Sequence, residues 1–172
     1  MRRWALILVS VSALAAEAGR LNIGETMPAV AGETLSGQKL ELPAADTGRT
    51  RVLVFSFAKA ASADSKQWNE RFDKDLGPAG PIARYRLIFL ESVPRLFRGM
   101  AVSGIRSGLP HAVSDKTLLV YKDEDAWKTR LAVSNDKHSY VVVLGPDGRV
   151  RWLSTGAFNQ TGYAELQKAL GR

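Results

Sequence analysis

Cysteine and histidine, the side chains most suited to nucleophilic and acid–base chemistry near neutral pH, are scarce in this chain and not spaced for it. Cysteine is absent, and only two histidines, His111 and His138, occur in 172 residues. A thiolate is the attacking group in thiol exchange, so that chemistry lacks its nucleophile. His138 has Asp136 and Ser139 beside it, but neighbours along a chain seldom converge on one reacting atom. No Gly-x-Ser-x-Gly elbow presents a serine either. A zinc site would need carboxylates to complete it, and no His-x-x-x-His spacing begins one. The sequence therefore predicts no catalytic residue, no metal and no cofactor.

A second polar string is Ala61-Ser62-Ala63-Asp64, with Lys59 just before it. It stands where a strand pattern gives way to a helix pattern. The first N–H groups of a helix lack partners, so Ser62 or Asp64 is expected to cap them. The alternative is that the pair holds a ligand or partner at the helix start. An anion site on Lys59 is opposed by the charge of Asp64.

The elements that position this string are readable from periodicity. Residues 52–57 are a nearly continuous apolar run, as in a central strand buried on both faces. Trp68, Phe72 and Leu76 recur every fourth residue, predicting a helix packed on the sheet and stopped at Gly77-Pro78. Strands are expected at 85–90 and 117–121, with a glycine-weakened helix over 93–105 between them. Asp123-Glu124-Asp125 suits the start of a short helix carrying Trp127 and Leu131 inward. Residues 139–144 and 149–153 flank Gly145-Pro146-Asp147-Gly148 and read as an antiparallel hairpin. A helix over about 161–170 follows, and a smaller hairpin turning at Ser36-Gly37 precedes the whole. The order implies an α/β fold: a mixed central sheet with helices on both faces.

Strand alternation puts Arg149 and Arg151 on an outer face and Val150 and Trp152 on the inner one. Tyr140, Arg149, Arg151 and Trp152 form the candidate contact surface for a protein partner. Arg95 and Arg98 lie in the predicted helix over 93–105, and Arg106 follows its end. They either dock it peripherally on a membrane surface or extend their stems over apolar atoms as it covers the sheet. The chain carries 24 Lys and Arg against 17 Asp and Glu, a net charge of +7. The surplus is spread out, with no basic run of the nucleic-acid type, so no nucleic acid is expected.

At the N-terminus, Arg2 and Arg3 precede an apolar run from Trp4 to Leu14, and Ala16-Glu17-Ala18 fits a small-x-small cleavage rule. Residues 1–18 are thus expected to be a cleaved signal peptide, and 19–172 one domain in the periplasm or secreted.

The element order resembles the thioredoxin-like superfamily, in the variant shared by secreted thiol-disulfide oxidoreductases and peroxiredoxins. In those families a strand like 52–57 leads into Cys-x-x-Cys; here the two cysteines fall on Ala61 and Asp64. The family's cis-proline position falls near His138 and Ser139, where no proline stands. A narrower resemblance lies in Asn135, Tyr140, the Asp147-Gly148 turn, the run Gly148-Arg149-Val150-Arg151-Trp152, and Gly156. That pattern is similar to the family of the mitochondrial ATP synthase assembly factor ten. It implies a redox-inactive, chaperone-like protein-binding module for a membrane complex. The competing readings are a divergent peroxiredoxin-like or oxidoreductase-like protein with lost or non-thiol activity, and a small-molecule binding domain.

Overall fold

A computed structural model describes residues 19–77, 80–154 and 156–172. The expected signal peptide, Pro78 of the helix stop and Thr155 lie outside these. In chain order the elements are β1 (Val30–Thr34), β2 (Lys39–Leu42), β3 (Arg51–Ser56), α1 (Ser62–Leu76), β4 (Ala83–Phe89), α2 (Arg95–Gly108), β5 (Thr117–Val120), α3 (Glu124–Arg130), β6 (Tyr140–Leu144), β7 (Val150–Leu153) and α4 (Gln160–Ala169). The strands form one mixed sheet in the order β2-β1-β5-β4-β3-β6-β7. β4 runs parallel to both β3 and β5, whereas β6 pairs antiparallel with β3 and with β7.

Every residue of β3 is buried, because both faces of the sheet are covered at its centre. Leu53 and Phe55 point to one face, into a core with Phe89, Trp127 and Tyr140. Val52 and Val54 point to the other, where α1 brings Trp68, Phe72 and Leu76 and α4 brings Tyr163 and Leu166. The fourfold spacing on α1 thus becomes a single packed face. α3 closes the first side through Trp127. α2 lies on the second side, over the patch Leu35, Leu90 and Leu119.

Three local expectations change. α2 continues to Gly108, beyond the predicted end at 105. Gly99 and Gly104 lower helix propensity without stopping it. Asp123 has a left-handed backbone and caps nothing with its side chain. Instead Glu91 accepts the Glu124 N–H (2.7 Å), and the Glu124 carboxylate accepts the Ser92 N–H (3.1 Å). Third, β7 does not alternate. Leu144 faces Val150 and Val143 faces Trp152, so Arg151 is an extra residue at a bulge. Val150 and Trp152 consequently enter opposite cores.

Candidate functional site

The C-terminal end of β3 leads from Ser56 through a 3-10 turn, Lys59–Ala61, straight into α1. β6 lies beside β3, pairing Tyr140 with Phe55. The loop ending at Ser139 is therefore set against the start of α1. The substituted Cys-x-x-Cys string and the His138-Ser139 position, 75 residues apart in sequence, meet here.

Neither Ser62 nor Asp64 caps α1. Ala61 occupies the N-cap position with no side-chain hydrogen bond, and Ser62 and Ala63 are exposed. Asp64 turns inward and is only 8% exposed. Its Oδ2 accepts the Ser139 N–H and its Oδ1 accepts the Phe158 N–H, both at 2.8 Å. Ser139 is wholly buried; its hydroxyl donates to the Ala61 carbonyl (3.3 Å) and lies 3.1 Å from the Ser56 hydroxyl. A carboxylate in this setting is tolerated because charge-assisted bonds to main-chain N–H groups replace lost water. The first turn of α1 adds a favourable dipole. Asp64 thereby ties three segments together: the helix start, the loop before β6 and the loop after β7.

His138 is half-buried beside this lock, and its main-chain N–H donates to the Asn135 carbonyl (3.2 Å). Tyr140 is a correction to the expected contact surface. It is fully buried, and its hydroxyl accepts the N–H groups of Ser134 (3.1 Å) and Asn135 (3.3 Å). Its role is to close the 134–139 loop from within. Arg149 and Arg151 are exposed, but Arg149 is engaged, donating to the Gly24 carbonyl (2.8 Å) and so holding the N-terminal arm. The expected surface is therefore not one patch.

Trp152 is nearly buried, and its indole N–H donates to Glu165 (3.3 Å). It borders a groove of about 460 Å³ with Trp68, Phe158, Asn159 and Glu165. Phe158 meets Trp68 edge to face, 4.9 Å between ring centres. The groove adjoins the lock through Phe158. It is an open concavity beside the lock.

The opposite end of the strands holds two polar features that the sequence reading missed. Arg51, 1% exposed, donates to the carbonyls of Pro43, Ala45 and Gly145 and so pins the β6–β7 turn to the segment after β2. Lys116 reaches both Asp46 and the Tyr85 hydroxyl at 2.8 Å, and Tyr85 donates to Asp46 at 2.6 Å. Burial disfavours the Asp46 carboxylate, but bonds from Lys116 and Tyr85 outweigh it and hold its pKa below the usual range. Burial, together with the Asp46 bond, pushes the Tyr85 phenol up, so it stays protonated. These groups seal an end of the sheet. Asp46 adopts a left-handed backbone in its turn.

The sheet order and the helix after β3 define the thioredoxin-like class. Solved structures with this fold include the exposed lipoprotein thioredoxin Etrx1 of Streptococcus pneumoniae (TM-score 0.59, 11% identity, 84% of this chain and 100% of that one). Others are the peroxiredoxin-like protein of Aquifex aeolicus (TM-score 0.55, 13% identity, 88% of each chain) and BsSco, a member of the Sco family of cytochrome c oxidase assembly proteins (TM-score 0.57, 12% identity, 88% of this chain and 95% of that one). At these identities the likeness carries the fold alone. The family is given by the sequence: the ATP10 protein model matches residues 22–172, and the chain belongs to that family. No curated protein is matched by the sequence.

Proposed function

We propose that this chain is a redox-inactive assembly factor that holds a protein subunit of a membrane complex, ATP synthase being the candidate. The observation that carries the reading is the position of Asp64. At the position matching the second, resolving cysteine of a thiol fold stands a buried carboxylate whose two oxygens are both taken up by main-chain N–H groups, tying two loops to the helix start. With no cysteine anywhere in the chain, neither thiol exchange nor thiol peroxidase chemistry has a nucleophile. Membership of the ATP10 family supports an assembly role. BsSco, a protein of this fold in a family that assembles another respiratory complex, is a parallel. The partner segment enters the Trp152–Phe158 groove, the concavity next to the closed crevice. The apolar leader supports work in the periplasm or outside the cell.

The test is native electrophoresis of membranes from cells lacking the protein. Assembled ATP synthase is expected to fall severalfold and to recover with the cysteine-free chain. Unchanged assembly in the deletion strain, or insulin reduction by the purified protein, would overturn the proposal.

A further inference from the structure

β7 is an outer strand of the sheet, and its free edge is covered for only part of its length. The N-terminal arm pairs with its beginning: the Gly24 N–H donates to the Val150 carbonyl (2.8 Å) and the Val150 N–H to the Glu25 carbonyl (2.9 Å). At Gly24 the backbone is left-handed (φ 90°) and the arm leaves the edge. The Leu21 N–H bonds instead to the Arg130 carbonyl (2.8 Å) at the end of α3. Past the bulge at Arg151 the strand resumes regular pairing with β6, Trp152 opposite Val143 and Leu153 opposite Val142. The next N–H, of Ser154, donates inward to the Val141 carbonyl (2.8 Å). Main-chain groups alternate sides along an antiparallel strand, so the N–H and C=O of Leu153 point outward. Among the described residues they have no partner.

The open part of the edge runs into the groove, which Leu153 and Ser154 line together with Trp152, Phe158 and Glu165. The opposite edge of the sheet, β2, is guarded: Lys39 and Glu41 are exposed on it, and Pro43, which has no N–H, follows its end. Of the residues lining the groove, Glu165 alone is charged. It is exposed, and among the described residues no Lys or Arg nitrogen lies within 4.0 Å of it. An open strand edge takes a second main chain in extended form, and pockets beside the edge take its alternate side chains. Here the pocket is aromatic, with one carboxylate lacking a cation.

We propose that an extended partner segment adds to β7 at Leu153 as a short extra strand. Its main chain exchanges N–H and C=O bonds with Leu153, a large apolar side chain lies against Trp152 and Phe158, and a Lys or Arg two residues away meets Glu165. Residues two apart share one face of a strand, so both side chains reach the groove together. This rests on the reading that the partner occupies this groove, and adds how the segment is held and what sequence it carries.

The test pans displayed random peptides on the full chain. Enriched sequences are expected to pair a large apolar residue with a Lys or Arg two positions away, and the most enriched peptide is then synthesised. Leu153→Pro removes the outward N–H, a change that edge strands tolerate; Leu153→Ala removes the side chain and keeps the N–H. The proline variant is expected to bind the peptide at least about tenfold more weakly than the alanine variant, with the same circular dichroism. Glu165→Gln keeps an acceptor for the Trp152 indole and should bind about threefold more weakly, with added salt weakening the wild type more than this variant. Hydrogen exchange on the wild type needs no variant: the Leu153 amide should exchange fast in the free chain and slowly with the peptide bound. No enrichment, a consensus without that spacing, equal binding by the proline and alanine variants, or a Leu153 amide left unprotected would overturn the inference. The assembly reading fails separately, if cells lacking the chain still assemble the complex.

Discussion

The start of α1 and the start of α2 are opposite solutions to exposure. At α1 a polar group is carried inward and matched: each Asp64 oxygen has a main-chain donor at 2.8 Å, and Ser139 is held on both sides. At α2 apolar groups are carried outward and left unmatched. The difference separates structure from recognition. Matched burial fixes loops and removes a reactive crevice. Unmatched exposure persists in a folded chain when something outside it provides the matching surface.

That contrast can be broken from either end. The largest effect is expected for Asp64→Ala, which leaves the Ser139 and Phe158 N–H groups unpaired and should cost about 3 kcal/mol in urea unfolding. Asp64→Asn keeps one acceptor oxygen and should cost about half as much. A loss below about 0.5 kcal/mol for the alanine variant would mean that the crevice is not locked. Ser139→Ala removes one buried hydroxyl and its bond to Ala61, for about 1 kcal/mol by the same measurement.

The contact between the β4–α2 turn and the start of α3 gives a pH-dependent version. Burial works against the Glu124 carboxylate, but bonds from Lys128 and Ser92 outweigh it and lower its pKa from the ordinary 4.5. A carboxylate depressed by folding stabilises above its unfolded pKa and loses that contribution as pH falls through the folded one. Wild type should therefore be more stable than Glu124→Gln at neutral pH, and the gap should close below about pH 4.5. A gap independent of pH would assign the effect to packing. The smallest effect is expected at α2: Leu96→Ser and Met100→Ser should each change thermal stability by less than about 0.5 kcal/mol.

The fold was largely legible because its signals are local. The fourfold spacing of Trp68, Phe72 and Leu76, the apolar run of β3 and the Asp147-Gly148 turn all became the elements they predicted. The positions of the site were legible only through the resemblance, which named Asp64 and Ser139; the bonds themselves were not, because they join residues 75 and 94 apart in sequence. One signal was present but unread: Asp64 continues the same spacing one turn before Trp68, so it lies on the buried face and needs partners. Arg51 was hidden at the edge of an apolar run, and its carbonyl acceptors come from the nearby segment after β2 and from Gly145, 94 residues away. The bulge at Arg151 broke an alternation that sequence alone reads as unbroken.

The closed crevice is the central claim, and amide hydrogen exchange tests it at the atoms concerned. The Ser139 and Phe158 amides should exchange as slowly as those of β3 and β6, and should lose that protection in Asp64→Ala. Exchange at exposed-loop rates in the wild type would show an open crevice and contradict the account.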